Sequence, residues 1–333
     1  MKTKKAVLVT GGAGFIGSHL CERLLKKGYY VICVDNFNDF YDPEIKEQNI
    51  SDLLGCADFT LIRGDILDVD LLKKIHSGKH KKLKYDLSSP VTVIHLAAMA
   101  GVRPSLVSPT KYVDVDIKGT VNLLEMARQF EVEKFIFGSS SSVYGINQEV
   151  PFSEEQETDK QVSPYATAKK AAEQYCRTYN HLYEVPIAAL RFFTVYGPRQ
   201  RPEMAIHKFA RLMSQGKPIP MYGDGTSERD YTYVDDVIDG IVAAVKADYD
   251  FEIINLGNSE TVKLRELIEL LGQKMGIEPK IDQQPEQPGD VPITYADISQ
   301  AREVLGYEPK ISIGEGLQRF VNWYRAHHRQ EPS

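Results

Sequence analysis

A basic excess is missing from this chain. Lys and Arg number 40 against 46 Asp and Glu, for a net charge of −6. That excludes the broad cationic stripe of a nucleic-acid binder, although a few local arginines can still serve a small anionic ligand. Cysteine is scarce. Cys21, Cys33, Cys56 and Cys176 are far apart and form no C-x-x-C pair. This argues against a metal site and a disulfide framework, and for thiols in a reducing cytoplasm. Long apolar runs are lacking too. No stretch reaches the ~18 residues of a membrane span. The run Ala6–Val9 behind Lys2, Lys4 and Lys5 is too short for a secretion signal and breaks at Gly11 and Gly12. The expectation is a cytoplasmic protein that engages neither membrane nor nucleic acid.

What is present is an ordinary globular composition, 42% hydrophobic and 26% charged over 333 residues, enough for one large domain and a smaller one. Short apolar runs at Ala6–Thr10, Tyr30–Val34, Phe59–Arg63, Val91–Ala98, Lys134–Ser139 and Ile187–Phe193 read as strands. Helical patterns such as Ile16–Lys26, Thr120–Gln129 and Ala166–Tyr183 lie between them. Alternation of this kind predicts an α/β fold, a doubly wound parallel sheet of Rossmann type covered on both faces. The lysine-rich stretch Lys73–Lys84 reads as a solvated helix face or loop. Beyond about residue 197, proline and glycine become frequent, as in Gly197–Pro202, Gly216–Gly225 and Gln283–Pro292, with helices at Val262–Met275 and Gly314–His327. The expected division is a dinucleotide-binding domain over 1–196, to which later segments return, and a smaller α/β lobe over 197–330. A ligand cleft is expected between them, at the carboxyl ends of the strands.

The strongest motif is Gly11-Gly12-Ala13-Gly14-Phe15-Ile16-Gly17, which follows a strand and opens a helix. Glycine lets a pyrophosphate approach the backbone, and the helix N-terminus offers free N–H groups. Asp35 ends the second strand. Its carboxylate would accept hydrogen bonds from the adenosine ribose and repel a ribose phosphate, which favours NAD over NADP. Asn36 follows it. Asp65 and Ile66 after the third strand, and Leu96, Ala97 and Ala98 after the fourth, are candidates to flank the cofactor. Tyr165 and Lys169 lie four residues apart, on one face of a predicted helix. A nearby ammonium favours the phenolate, so the pair can act as a general base, and Lys169 can also hold the cofactor ribose. Ser140, Ser141 and Ser142 end the fifth strand, where hydroxyls can share a proton with a substrate hydroxyl.

Glycine loop, Asp35, serine cluster and Tyr165/Lys169, in that order, resemble the extended short-chain dehydrogenase/reductase family of NAD-dependent epimerases and dehydratases. The resemblance spans essentially the whole chain. It includes Arg191–Pro198 and the segment Glu228-Arg229-Asp230-Tyr231, and it implies that Arg229 binds a nucleotide diphosphate. Family members that dehydrate or decarboxylate carry carboxylates where this chain has Ser141 and Ser142, so simple epimerisation is implied. The stretches around Gly101-Val102-Arg103-Pro104-Ser105 and Thr194–Ala205 are similar to those of glucuronate epimerases. The resemblance therefore implies 4-epimerisation of UDP-glucuronate, with Arg103 and Thr194 near the sugar and Arg201 on its carboxylate. It also implies a homodimer through helices near Thr120–Gln129 and Ala166–Tyr183. Three alternatives stay open: a UDP-glucose or UDP-N-acetylhexosamine 4-epimerase, a nucleotide-sugar decarboxylase or dehydratase, and a non-catalytic NAD-binding sensor. The intact Ser140, Tyr165 and Lys169 set weighs against the last.

Overall fold

The computed structural model describes residues 4–84, 91–285 and 291–327. Its first half alternates β1 (Ala6–Thr10), α1 (Phe15–Lys26), β2 (Tyr30–Asp35), α2 (Pro43–Ile50), β3 (Phe59–Arg63), α3 (Val69–His76) and β4 (Thr92–His95). Then come α4 (Val102–Val107), α5 (Pro109–Tyr112), a π-helical turn (Val113–Lys118), α6 (Gly119–Gln129), β5 (Lys134–Ser140), α7 (Pro164–Tyr183) and β6 (Ile187–Phe192). The second half holds β7 (Thr194–Tyr196), α8 (Ala205–Ser214), β8 (Ile219–Tyr222), β9 (Glu228–Arg229), β10 (Tyr231–Tyr233) and α9 (Val234–Lys246). It continues with β11 (Phe251–Leu256), β12 (Val262–Lys263), α10 (Leu264–Met275), β13 (Ile281–Gln284), β14 (Ile293–Thr294), α11 (Ser299–Leu305) and α12 (Ile313–His327).

Seven parallel strands form the central sheet in the order β11-β6-β5-β4-β1-β2-β3, the Rossmann-type architecture that the alternation predicted. β1 and β2 are buried throughout, so their near-continuous Val, Leu and Ile suit a sheet covered on both faces. The strand order reverses beside β1, whose neighbours are β2 and β4. A crevice at the carboxyl ends follows from that reversal. Register brings Thr10 level with His95 and with Val34, and Ser139 level with Arg191.

Helix starts follow from local chemistry. Asp42, Asp68 and Ser163 cap α2, α3 and α7 through their side chains, and Pro43 and Pro164 occupy first-turn positions that need no N–H donor. α7 ends at Glu184, which is left-handed at φ 55°. Lys84, at the end of the lysine-rich stretch, is exposed and donates to the carbonyls of Cys56, Ala57 and Phe59. The predicted helix from Val262 starts later, at Leu264, because Val262 and Lys263 pair antiparallel with Arg229 and Glu228. The fourth strand stops at His95, and Leu96–Ala98 go on outside the ladder as cavity wall. Residues 286–290 of the proline-rich stretch, and the last residues, 328–333, lie outside the described residues.

Candidate active site

One cavity of about 540 Å3 lies at the carboxyl ends of the central strands, within the range of small-ligand sites. The glycine loop forms its floor. Gly11 has φ +70° and donates its N–H to Val34 O at 2.8 Å. A Cβ there would meet Ala97 N at 2.7 Å, and one on Gly17 would meet Gly11 O at 2.1 Å. These two glycines are therefore demanded by backbone packing. Gly14 differs: its nearest neighbours are Gly11 O at 3.2 Å and the Tyr41 hydroxyl at 4.0 Å, so its open side faces the cavity. The N–H groups of Phe15, Ile16 and Gly17 at the start of α1 line the same floor and have no partner inside the helix. This cradle fits a pyrophosphate.

Asp35 is buried at the tip of β2. Its two oxygens accept the N–H groups of Ala13 at 3.1 Å and Phe37 at 2.9 Å, which fixes the carboxylate while leaving lone pairs toward the cavity. Asn36 donates to Asp65 at 2.9 Å. Ile66, Leu96, Ala97 and Ala98 complete this wall. The cofactor residues expected from sequence thus share one surface, and an acceptor-only carboxylate in the cavity lining suits the ribose hydroxyls of NAD.

Tyr165 and Lys169 line the opposite wall, from the first turns of α7. Lys169 is buried and donates to Gly138 O at 2.8 Å, leaving two more protons to give. Ser139 points inward to Glu173 at 2.6 Å. Ser140 accepts from the N–H of Ser142 at 3.2 Å and from its hydroxyl at 3.0 Å. Its own O–H is thereby left to donate into the cavity, where Ser141 and Ser142 also stand. Beneath the serines, Glu173 and Arg191 form a buried bidentate pair at 2.9 Å, and Arg191 also donates to the Tyr144 hydroxyl at 3.0 Å. That hydroxyl donates to Asn255 of β11 at 2.7 Å. The network ties α7 to three strands, so the height of Tyr165 and Lys169 above the sheet is set by polar contacts as well as packing.

Thr194, Arg201 and Arg229 line the far end of the cavity. Arg201 pairs with Glu203 at 3.1 Å and lies over the Phe40 ring. Arg229 donates to Glu228 O at 2.8 Å. Arg103 is not among the lining residues. Its guanidinium stacks over Tyr222, 4.9 Å from the ring centre.

Sequence reasoning missed Phe40 and Tyr41 of the β2–α2 connection and Lys46 of α2, which line the cavity. The aromatic density of Phe37–Tyr41 directly after Asp35 was the available signal. It also missed two buried polar groups behind the site. His95 bridges Thr10 at 2.8 Å and Thr120 at 3.0 Å. Thr120 gives its own proton to Asp116 O, so His95 donates through Nε2 and accepts from Thr10. Burial pushes the His95 ring down to about 3, keeping it neutral.

Asp116, in the π-helical turn, accepts from Met99 N at 2.7 Å, while its second oxygen is buried without a partner. Burial raises this carboxyl from 3.8 to about 7, against the pull of the Lys169 charge and the Met99 hydrogen bond. The sign of the consequence is fixed. Below about pH 3 the group is protonated in folded and unfolded chains alike. As pH rises toward 7 the unfolded chain ionises first, so stability falls, by ~4 kcal/mol in all. Asp116→Asn keeps an acceptor for Met99 and cannot ionise. Its stability relative to the parent is expected to rise between pH 4.5 and pH 8 in paired unfolding titrations. A difference independent of pH would contradict the assignment.

Comparison with known proteins agrees with this geometry. Residues 8–320 match the GDP-mannose 4,6 dehydratase family. The chain is 44% identical over 317 residues to the UDP-glucuronate 4-epimerase of Thermodesulfobacterium geofontis, covering 95% of each chain. It superposes with TM-score 0.89 and 38% identity on the UDP-glucuronic acid 4-epimerase of Bacillus cereus, solved with UDP-glucuronic acid and NAD, covering 97% of this chain and 99% of that one. The UDP-glucose 4-epimerase of Thermotoga maritima, solved with UDP-glucose, gives TM-score 0.86 and 33% identity, with 97% and 99% covered.

Proposed function

The chain belongs to the GDP-mannose 4,6 dehydratase family, and from that premise we propose how its residues carry out one reaction, the interconversion of UDP-glucuronate and UDP-galacturonate. It is an NAD-dependent nucleotide-sugar 4-epimerase, an isomerase. The observation that carries the assignment is a single cavity joining the glycine loop, the Tyr165/Lys169/Ser140 wall and Arg201.

NAD, held by the loop from Gly11 to Gly17 and by Asp35, supplies a reversible hydride acceptor at a carbinol carbon. Tyr165 takes the proton of the sugar 4-hydroxyl. The Lys169 ammonium lowers the cost of the phenolate, and the free O–H of Ser140 steadies the oxygen at carbon 4 as it becomes a carbonyl. The 4-keto sugar turns over inside the cavity, and Tyr165 returns the proton when the other face is reduced. No carboxylate stands at Ser141 or Ser142, so elimination across carbons 5 and 6 lacks an acid–base pair. Arg229 takes the diphosphate.

A 4-keto uronate is a β-keto acid and loses carbon dioxide when its carboxylate bond aligns with the carbonyl π system. Arg201 and Thr194 hold that carboxylate out of alignment through charge-assisted contacts. Arg201→Ala is therefore expected to raise the share of decarboxylated UDP-pentose among products by about tenfold, the scale of one charge-assisted hydrogen bond. Chromatography of the products checks this, and unchanged purity would rule out the carboxylate grip.

The same reading makes the enzyme a cytoplasmic homodimer. Exposed Tyr175, Leu182 and Tyr183 along α7 support the pairing, and unpaired Cys21, Cys33, Cys56 and Cys176 suit a reducing compartment.

A further inference from the structure

The loop that carries Arg201 is fastened to the cofactor helix. Phe15, His19 and Glu22 lie on one face of α1 at helical spacing, starting at the residue that lines the cavity floor. The Phe15 and His19 rings meet edge to face at 6.1 Å. His19 Nε2 lies 2.9 Å from Pro198 O. That carbonyl can only accept, and burial together with the Arg199 charge lowers the ring to about 4. The imidazole is thus neutral, with its proton on Nε2. One residue further on, Arg199 reaches Glu22 at 3.1 Å.

Arg199 is unusual in two ways. Its backbone sits at φ +63°, a conformation that costs a non-glycine residue energy and persists where surrounding contacts enforce it. Its second guanidinium nitrogen, Nη1, is buried without a partner. A solvated loop arginine would show neither feature. Gln200 is buried beside it, its side-chain amide donating to Val195 O at 3.4 Å, and its backbone carbonyl oxygen lies 2.6 Å from His207 Nδ1. The chain then turns, with Met204 N donating to Arg201 O at 3.1 Å, which sends the Arg201 side chain into the cavity. Nothing between Arg199 and Arg201 is slack, so the position of one dictates the other.

We propose that Arg199, latched to Glu22 of the cofactor helix, is a positioning residue that sets where Arg201 meets the sugar carboxylate. Cofactor cradle and carboxylate grip are then one rigid unit. The latch decides uronate specificity without touching substrate. This rests on the reading of Arg201 given above.

The test is a double-mutant cycle on the NAD-loaded enzyme with Arg199→Met, Arg201→Ala and the pair, alongside Glu22→Gln and Arg199→Lys. KM and kcat for UDP-glucuronate, the UDP-pentose share of product and inhibition by UDP are measured for each. Arg199→Met and Glu22→Gln are expected to raise KM about fivefold, the scale of coupling between neighbouring side chains, and to raise the pentose share. Inhibition by UDP, which has no carboxylate, should stay at the parent value. Arg199→Lys should restore part of the loss, and Arg199→Met should add nothing once Arg201 is Ala. A merely structural role would weaken UDP binding and leave product purity alone. If Arg201→Ala raises the pentose share while Arg199→Met and Glu22→Gln do not, the latch is wrong and the carboxylate grip survives. If Arg201→Ala itself changes nothing, the grip fails and the latch with it.

Discussion

Tyr165→Phe is expected to lower kcat with UDP-glucuronate by about 10²- to 10⁴-fold, the usual worth of a positioned acid–base group, while the Kd for the nucleotide sugar stays near the parent value. Tyr165 stands with Lys169 and Ser140 around one cavity wall. Ser140 already accepts twice from Ser142, so it can donate to the substrate but is poorly placed to take a proton from it. Lys169 is buried, donates to Gly138 O and, as an ammonium, has no lone pair to offer. His95 is neutral but spends both ring nitrogens on Thr10 and Thr120. That leaves the Tyr165 oxygen, as the phenolate that the Lys169 ammonium favours, as the group able to accept the 4-hydroxyl proton. The Tyr165 ring packs edge to face on Tyr112 at 6.2 Å, and phenylalanine keeps that contact, so the fold should not be disturbed. Turnover measured beside titration of UDP-glucuronate separates the two effects. A loss of less than tenfold in kcat would mean that another group carries the proton.

Glu173→Ala is expected to destabilise the protein by ~3–5 kcal/mol, because it leaves a buried guanidinium without its counter-charge. Arg191 is 1% exposed and Glu173 likewise 1%, so water cannot replace the lost carboxylate. The change also strips an acceptor from Ser139, at the end of β5. Replacing both members with apolar residues of similar volume, as in Glu173→Leu with Arg191→Met, should recover most of that stability. The double variant should nonetheless turn over more slowly than the parent, since the polar tie between α7 and the strands is gone. Urea unfolding of the three proteins, with kcat on each, tests this. A single variant as stable as the parent would mean that Arg191 finds another partner.

The parts of the fold and site that were legible in the sequence share a cause. β1 and β3 begin and end where the apolar runs do: β1 is buried along its whole length and reads as a near-continuous apolar run, while β3, at the sheet edge, keeps enough of one to be found although it holds Thr60 and ends on exposed Arg63. The glycine loop was legible because close backbone approach at Gly11 and Gly17 leaves no room for any other residue. Tyr165 and Lys169 sit on one helix face at a spacing that geometry fixes. Arg103 shows the limit: its guanidinium lies over Tyr222 of β8 rather than among the cavity-lining residues, a contact between segments more than a hundred positions apart. Asp116 and His95 were silent for the same reason. Their burial and their partners come from the packing of α6 and the π-helical turn against the sheet, which no local pattern encodes. Arg199 lies in the stretch Thr194–Ala205 that the resemblance singled out, but its contact with Glu22, far upstream, is set by tertiary packing.

The most direct test of the account is to incubate the purified protein with UDP-glucuronate, without added NAD, and resolve the products by NMR. UDP-galacturonate is the expected product, formed with cofactor that the protein carries from turnover to turnover. No conversion even with NAD supplied, alongside conversion of UDP-glucose to UDP-galactose, would contradict it: the cavity would then be that of a neutral-sugar epimerase, and Arg201 would hold no carboxylate.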